Sequence, residues 1–367
     1  MARPARAGVD QALASGLLIT KGETRLKPAP APASVDIDSS TLTFEDNGRC
    51  ALLFGRHHEH LAQIEQKIPA TLVARGNEVT ISGEAEQVAA ATAVLSDLEH
   101  RLEQGIDLDK SEVDAAIRMV TGKGATPKKT KKNGFRGQEE LIETERKRIS
   151  PRSPNQSLYI KAMQSHDLVF GLGPAGTGKT YLAVAMGASL LRKRAIDRLI
   201  LSRPAVEAGE RLGFLPGDMK DKVDPYLRPL YDALQDMLPE GKFATRLESG
   251  AIEVAPLAFM RGRTLSNAFV ILDEAQNTTP AQMMMFLTRL GEGSRMVVTG
   301  DPAQHDLPLG AASGLDDAVG KLEGLRDVGM VRFAEEDVVR HPLVAKIIGA
   351  YRQKSGGAKL REDGRDG

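Results

Sequence analysis

The sequence predicts an α/β fold: a mostly parallel sheet covered by helices on both faces, with a smaller α/β unit ahead of it. Three observations predict it. The stretch Gly173-Pro174-Ala175-Gly176-Thr177-Gly178-Lys179-Thr180 matches the P-loop pattern, and it lies between an apolar run at 167–172 and an Ala-rich helical pattern at 181–191. Strand and helix patterns alternate through the C-terminal two thirds of the chain. A second apolar run at 268–272 ends in two carboxylates, Asp273 and Glu274.

The glycine loop has a mechanism behind its spelling. Glycines let the backbone turn tightly and aim its N–H groups inward, and the following helix adds the partial positive charge of its N-terminus. Residues 173–180 are therefore the candidate nucleotide-binding loop. Lys179 is expected to reach the β- and γ-phosphates, and the Thr180 hydroxyl to hold Mg²⁺. An apolar strand ending in paired carboxylates supplies the second half of such a site. Asp273 would hold Mg²⁺, directly or through water, and Glu274 would orient and polarise the attacking water. ATP and Mg²⁺ are the expected cofactors.

Composition bounds the rest. Lys plus Arg and Asp plus Glu number 49 each among 367 residues, so net charge names no partner. Cys50 is the single cysteine, which forbids an intramolecular disulfide and fits a reducing compartment. No apolar run approaches the roughly 18 residues of a spanning helix. The segment 11–19 is too short and interrupted for a signal-peptide core. A cytoplasmic protein with no membrane association is expected. Without Trp, and with few other aromatics, stacking platforms for single-stranded bases are scarce.

Taken in order, residues 1–37 end in a Pro/Ala run and are expected to be a disordered lead-in. Residues 38–105 read as a small α/β unit. It has a strand at 40–44, a second apolar run at 50–54, a helix at 57–67, a hairpin of 71–75 and 78–82 around Gly76-Asn77, and a long helix at 84–103. This order resembles a KH-type RNA-binding fold, which clamps nucleic-acid backbone with a Gly-x-x-Gly loop. The matching turn, Gly55-Arg56-His57-His58, lacks the second glycine. Arg56 with His57, His58 and His60 could meet phosphate, or could form a solvated helix face. Residues 106–149 read as a short helix, at 109–120, and a linker whose basic stretch 123–136 is either an RNA-phosphate arm or a solvated connection. Residues 150–355 form the P-loop domain, with strands at 167–172, 198–202, 252–255, 268–272 and 295–299, and an edge candidate at 330–333. A flexible tail, 356–367, follows.

Further candidates sit around the loop. Gln156 precedes the first strand of this domain, where its amide could read the adenine edge. Asp273 and Glu274 continue as Ala275-Gln276-Asn277. Met283, Met284 and Met285 read as core packing. The next strand ends in Gly300-Asp301-Pro302-Ala303-Gln304, a pattern similar to motif III of superfamily 1 helicases, in which Gln304 could sense the γ-phosphate. Arg340 is a candidate transition-state arginine, in cis or from a neighbouring subunit; the alternative for it is a surface salt bridge.

Together these stretches resemble the PhoH family of ATPases, the phosphate-starvation-inducible PhoH-like proteins. The resemblance rests on residues 151–156, 173–180, 202–207, 213–217, 273–277 and 300–304, and spans roughly 38–355. It implies a RecA-like P-loop core related to superfamily 1 helicases, with a KH-like unit ahead of it. It also implies ring homo-oligomers, hexamers, and an association with a YbeY-type endoribonuclease or the ribosome in RNA maturation. The expected function is thus an Mg²⁺-dependent ATPase of RNA metabolism. The alternative is a nucleotide-switched adaptor for such a nuclease or ribosome partner. No second set of RecA-type motifs follows Gln304, so strand separation by a single chain is not expected.

Overall fold

The computed structural model describes residues 37–122, 141–204, 219–304, 306–308 and 310–339, without the side chains of 219–225. Residues 1–36, the basic stretch 123–136, most of 203–217, Arg340 and the tail 356–367 lie outside the described residues.

Strand β1 (Ile37–Thr43) opens the first unit. Asp46 then caps helix α1 (Asn47–Phe54), accepting the Gly48 and Arg49 N–H groups at 2.8 and 3.1 Å. The apolar run 50–54 is therefore the end of a helix. After the Gly55 turn come α2 (Glu59–Lys67), β2 (Thr71–Arg75) and β3 (Glu78–Glu84), the last two joined as the expected hairpin. Helices α3 (Ala85–Glu103) and α4 (Lys110–Thr121) follow, the latter capped by Asp109. The antiparallel sheet runs β1-β3-β2. Ile64, Val79, Ile81, Leu95 and Leu98 form its core, with 0% exposure each. Two details differ from the sequence reading. Helix α4 is not part of a bare connection: Val113, Ala116 and Ile117 pack into this same core. His60 does not join an exposed basic cluster. It is buried, its Nδ1 lying 3.1 Å from the Leu53 carbonyl, whereas Arg56, His57 and His58 are exposed.

A short ribbon, β4 (Ile142–Glu143) and β5 (Arg148–Ile149), leads into the second unit. Its further elements are α5 (Pro154–Ser165), β6 (Leu168–Leu172), α6 (Lys179–Arg192), β7 (Arg198–Arg203) and α7 (Met219–Met237). Then come α8 (Lys242–Glu248), β8 (Ile252–Pro256), β9 (Ala268–Leu272), α9 (Pro280–Leu287), β10 (Arg295–Gly300), α10 (Gly314–Leu322) and β11 (Val328–Arg332). All six expected strands are present, their ends shifted by no more than two residues. They form one parallel sheet in the order β11-β6-β10-β9-β7-β8, with the half-exposed β11 at an edge as expected.

Alternation explains both faces of this sheet. Val169, Leu199, Leu201, Phe269, Ile271 and Val297 point to the side covered by α5, α6 and α7. Phe170, Ile200, Val270, Leu272, Met296 and Val298 point to the side covered by α9 and α10. With both faces covered, the central strands β6, β9 and β10 bury their apolar side chains on either side. No helix among the described residues is long and apolar enough to cross a membrane.

Phe269, 0% exposed in the middle of the sheet, tests this packing. Phe269→Ala should lower stability by about 3–5 kcal/mol in urea unfolding. A loss under about 1 kcal/mol would contradict a close-packed face at this strand.

Candidate functional site

The site begins where β6 ends. Gly173 has φ 138°, and a Cβ there would stand 2.4 Å from the Phe333 carbonyl oxygen, so only glycine fits. Gly178 has φ 83°, with the Gln156 amide 3.0 Å from where its Cβ would be. The loop is held from three sides. Gly173 N donates to Gly300 O at 3.1 Å, Val339 N to Gly176 O at 2.9 Å, and Gln156 Nε2 to Thr177 O at 2.9 Å. Lys179 is the first residue of α6 and is buried. Its Nζ donates to Gly173 O at 2.6 Å and to Pro174 O at 2.9 Å. The loop thus curls around its own ammonium, which presents donors where phosphate oxygens would compete for them.

Across the sheet edge stands Asp273, directly after β9. Its Oδ1 accepts the Thr180 hydroxyl at 2.6 Å and the Thr299 hydroxyl at 2.8 Å. Two hydroxyls and a carboxylate are hard oxygen donors, a set that fits Mg²⁺ shared with substrate phosphates. Among the described residues, no three His, Cys, Asp or Glu side chains converge as an all-protein metal cage. Beneath the site, the Tyr159 hydroxyl is fully buried with no hydrogen-bond partner among the described residues. Burial, reinforced by the charge of Asp273, pushes its pKa well above the ordinary tyrosine value and keeps the phenol neutral.

Glu274 sits in a left-handed conformation, φ 51° and ψ 41°, rare for a residue with a side chain. Arg203 Nη2 lies 3.3 Å from its Oε1, and Gln276 Nε2 donates to its Oε2 at 2.5 Å. Gln276 is itself buried, and its Oε1 accepts the Asp301 N–H at 3.2 Å. Gln304 is exposed at the turn after β10. With Lys179, Thr180, Asp273 and Glu274 it borders one cleft of about 290 Å³. The structure therefore brings together the expected loop, both carboxylates and Gln304. Gln156 is next to the loop but 3% exposed, its Oε1 accepting the Arg152 N–H at 2.7 Å. Arg340 lies outside the described residues, one position after the Val339 that bonds the loop.

Sequence reasoning gave Gln276 and Thr299 no role, and placed the stretch from Arg203 only at the site's edge, as a loop able to couple nucleotide state to a partner. Arg203 and Thr299 each had a signal: they stand at the C-terminal ends of parallel strands, where such sheets carry their ligands. Gln276 lay in the quoted run 273–277 without an assigned role.

Lys179→Ala removes the ammonium on which the loop closes. It should lower ATP affinity or turnover by orders of magnitude, measured by nucleotide titration and steady-state hydrolysis. Hydrolysis at the wild-type level in this variant would remove Lys179 from the site.

A family model described as "PhoH-like protein" matches residues 148–352. A PhoH-like protein of Bacillus subtilis (strain 168) is 50% identical over 305 residues, covering 82% of this chain and 92% of the relative. A PhoH-like protein of Mycobacterium tuberculosis (strain H37Rv) is 46% identical over 334 residues, covering 91% and 93%. Protein PhoH of Escherichia coli (strain K12) is 49% identical over 205 residues, covering 55% and 58%. Among solved structures, the Pif1 helicase from Candida albicans aligns at TM-score 0.26 and 12% identity, over 49% of this chain and 39% of that one. The Sulfolobus solfataricus SWI2/SNF2 ATPase core in complex with dsDNA aligns at 0.27 and 14%, over 41% and 31%; this chain thus spans less than two fifths of either solved chain. A family model over more than half of the chain, and relatives at 46 and 50% identity along nearly their whole length, place the chain in the PhoH-like protein family.

Proposed function

We propose that this chain is an Mg²⁺-dependent ATPase acting in RNA metabolism, remodelling RNA or ribosomal RNA–protein complexes. The observation that carries the ATPase part is the convergence of Lys179, Thr180, Asp273, Glu274 and Gln304 on one cleft at the end of the sheet. The backbone N–H groups of 173–180 cradle the phosphates, and Lys179 exchanges the Gly173 and Pro174 carbonyls for phosphate oxygens. Thr180 and Asp273 hold Mg²⁺, which when bound offsets negative charge on the phosphates. Glu274 takes the proton of a water positioned between it and the Gln304 amide.

For RNA, the support lies in the first unit. Its order β-α-α-β-β-α, with a glycine turn between the first two helices, fits the KH-like reading. The position where a KH loop has its second glycine holds His58, yet the backbone there keeps the left-handed φ of 61° that glycine favours. Arg56, His57 and His58 stand exposed on that turn, as a backbone clamp requires. The basic stretch 123–136 would add salt-sensitive phosphate contacts. The proposal extends to a cytoplasmic ring of identical subunits, a hexamer, in which a neighbour supplies the missing half-site. It includes a YbeY-type endoribonuclease or the ribosome as partner.

One observation favours a second reading, the nucleotide-switched adaptor. Both oxygens of Glu274 are already engaged, by Arg203 and Gln276, a resting arrangement suited to slow turnover.

Steady-state ATP hydrolysis with and without single-stranded RNA, at two salt concentrations, separates the two. RNA should raise the rate several-fold, and salt should weaken the effect. A flat response at both salts would favour the adaptor. Glu274→Gln should keep ATP binding while slowing hydrolysis by roughly 10²-fold or more. Loss of binding with turnover per bound ATP unchanged would make Glu274 structural.

A further inference from the structure

Three buried polar atoms that lack a hydrogen-bond partner among the described residues border one groove: Gln63 Oε1, Ser111 Oγ and Arg118 Nε. Native folds leave few such atoms, and each asks for an explanation. The groove runs between α2 and α4, and Arg152 and Val339 complete its described walls. Its volume of about 1150 Å³ exceeds that of ordinary small-ligand sites, so it suits part of a larger molecule. Its charges are matched in pairs, with one exception. Lys110 Nζ lies 3.1 Å from Glu59, Lys67 Nζ lies 2.8 Å from Asp114, and Arg152 Nε donates to Glu112 at 3.0 Å. Arg118 has no hydrogen bond or ion pair among the described residues. Asp337, a further acid near it, is spent on Asn155 Nδ2 and the Ala334 N–H, at 2.8 and 2.7 Å. Burial lowers the Arg118 pKa; Asp114 opposes the shift and the charge of Arg152 adds to it. A guanidinium in that setting is stabilised by an incoming anion.

The three atoms have an order along the groove. Ser111 and Arg118 share one face of α4, about 10 Å apart along its axis. Gln63 belongs to the Ser111 end, because its Nε2 donates to the Lys110 carbonyl at 2.8 Å. One end therefore offers a guanidinium, and the other an acceptor beside a hydroxyl. We infer that this groove holds a stretch of RNA backbone, with a phosphate on Arg118 and a ribose 2′-hydroxyl at Gln63 and Ser111. The inference rests on the RNA reading proposed above and adds a second contact surface to it. The exposed turn 55–58 runs directly into Glu59, which opens α2 and borders the groove. A strand crossing that turn is led between the two helices.

The chemistry selects ribose phosphate. Arg118 keeps its five N–H donors unspent, in the planar fork that matches phosphate oxygens. Gln63 Oε1 can only accept, so it needs a hydroxyl or N–H donor, and Ser111 Oγ takes either role. The 2′-hydroxyl both donates and accepts, and DNA lacks it. No aromatic side chain is among the described walls, so bases are not stacked there and recognition tolerates sequence. An acidic protein segment would meet Arg118 equally well, but Ala62 and Val339 are the only apolar side chains among those walls, and protein partners rely on larger anchors. The groove also reaches the P-loop. Val339 N braces Gly176 O, and the Arg152 N–H bonds Gln156, whose amide holds Thr177 O. Backbone seated against Arg152 and Val339 bears on two of the bonds that hold the loop.

The test is fluorescence anisotropy of the full chain with a labelled single-stranded RNA, and with DNA of the same sequence, over a range of salt concentrations. The wild type should bind the RNA more tightly than the DNA. Arg118→Ala should weaken RNA binding about tenfold or more. It should also lower the slope of log Kd against log salt by about 0.7, the share of one single-strand phosphate. Ser111→Ala should close most of the gap between RNA and DNA. The Ser111 hydroxyl and the Arg118 guanidinium bond nothing among the described residues, so neither truncation strands a partner, and both variants should keep the wild-type melting curve. Unchanged RNA affinity and salt slope in Arg118→Ala overturn the assignment, leaving the groove to an acidic segment of a protein partner and the RNA reading intact. Equal wild-type affinity for RNA and DNA overturns the ribose contact, and that comparison needs no variant to fold. A wild type that binds neither strand removes the RNA reading itself, and the groove assignment with it.

Discussion

One strand sets the spacing of everything at the site. Strand β10 lies between β6, which feeds the P-loop, and β9, which ends at Asp273. Neighbouring strands stand about 4.8 Å apart, so the ends of β6 and β9 are roughly 10 Å apart. That gap is what the Thr180 and Asp273 side chains close from opposite sides, with Thr299 on the intervening strand bonding the same carboxylate oxygen. Were β6 and β9 adjacent, Thr299 and the turn carrying Gln304 would have no place between them. With both faces covered and all strands parallel, the C-terminal ends of the strands form a single polar rim.

The charges on that rim are already partnered. The Lys179 ammonium is bound by loop carbonyls, and the Glu274 carboxylate by Arg203 and Gln276. Binding of a phosphorylated ligand is therefore an exchange of partners rather than the filling of an empty field. Its net gain is smaller than the gross strength of the new contacts. The Arg101–Glu112 pair, 2.7 Å apart with side chains 5% and 8% exposed, follows a different logic. Buried ion pairs contribute little net stability, but removing one member strands a charge at a cost of about 3–5 kcal/mol.

The sheet was legible because its signal is local. Continuous apolar runs mark buried parallel strands, and β9 matches the expected 268–272 to the residue. The P-loop, Asp273 and Glu274 were legible because their chemistry needs fixed residue types at strand ends. Three features were not. The run 50–54 is short and apolar, and the Asp46 cap that makes it helical lies outside it. His60 looked like its exposed neighbours, but it faces inward from α2 beside Leu61 and Ile64. Glu112 pairs with residues 11 and 40 positions away, distances at which no periodicity operates. Its one trace was an acid on the same helical face as Ala115 and Ala116, which are buried.

The bond from Val339 N to Gly176 O has a consequence for how the protein is made. The loop leaves the ribosome early, but two of its supports come late: β10, which supplies the Gly300 carbonyl, and the segment past β11 that ends at Val339. A nascent chain that already displays the whole glycine motif still lacks these braces. Domains generally fold as units once their long-range pairings can form. The braced form of the loop therefore waits for nearly the whole second unit.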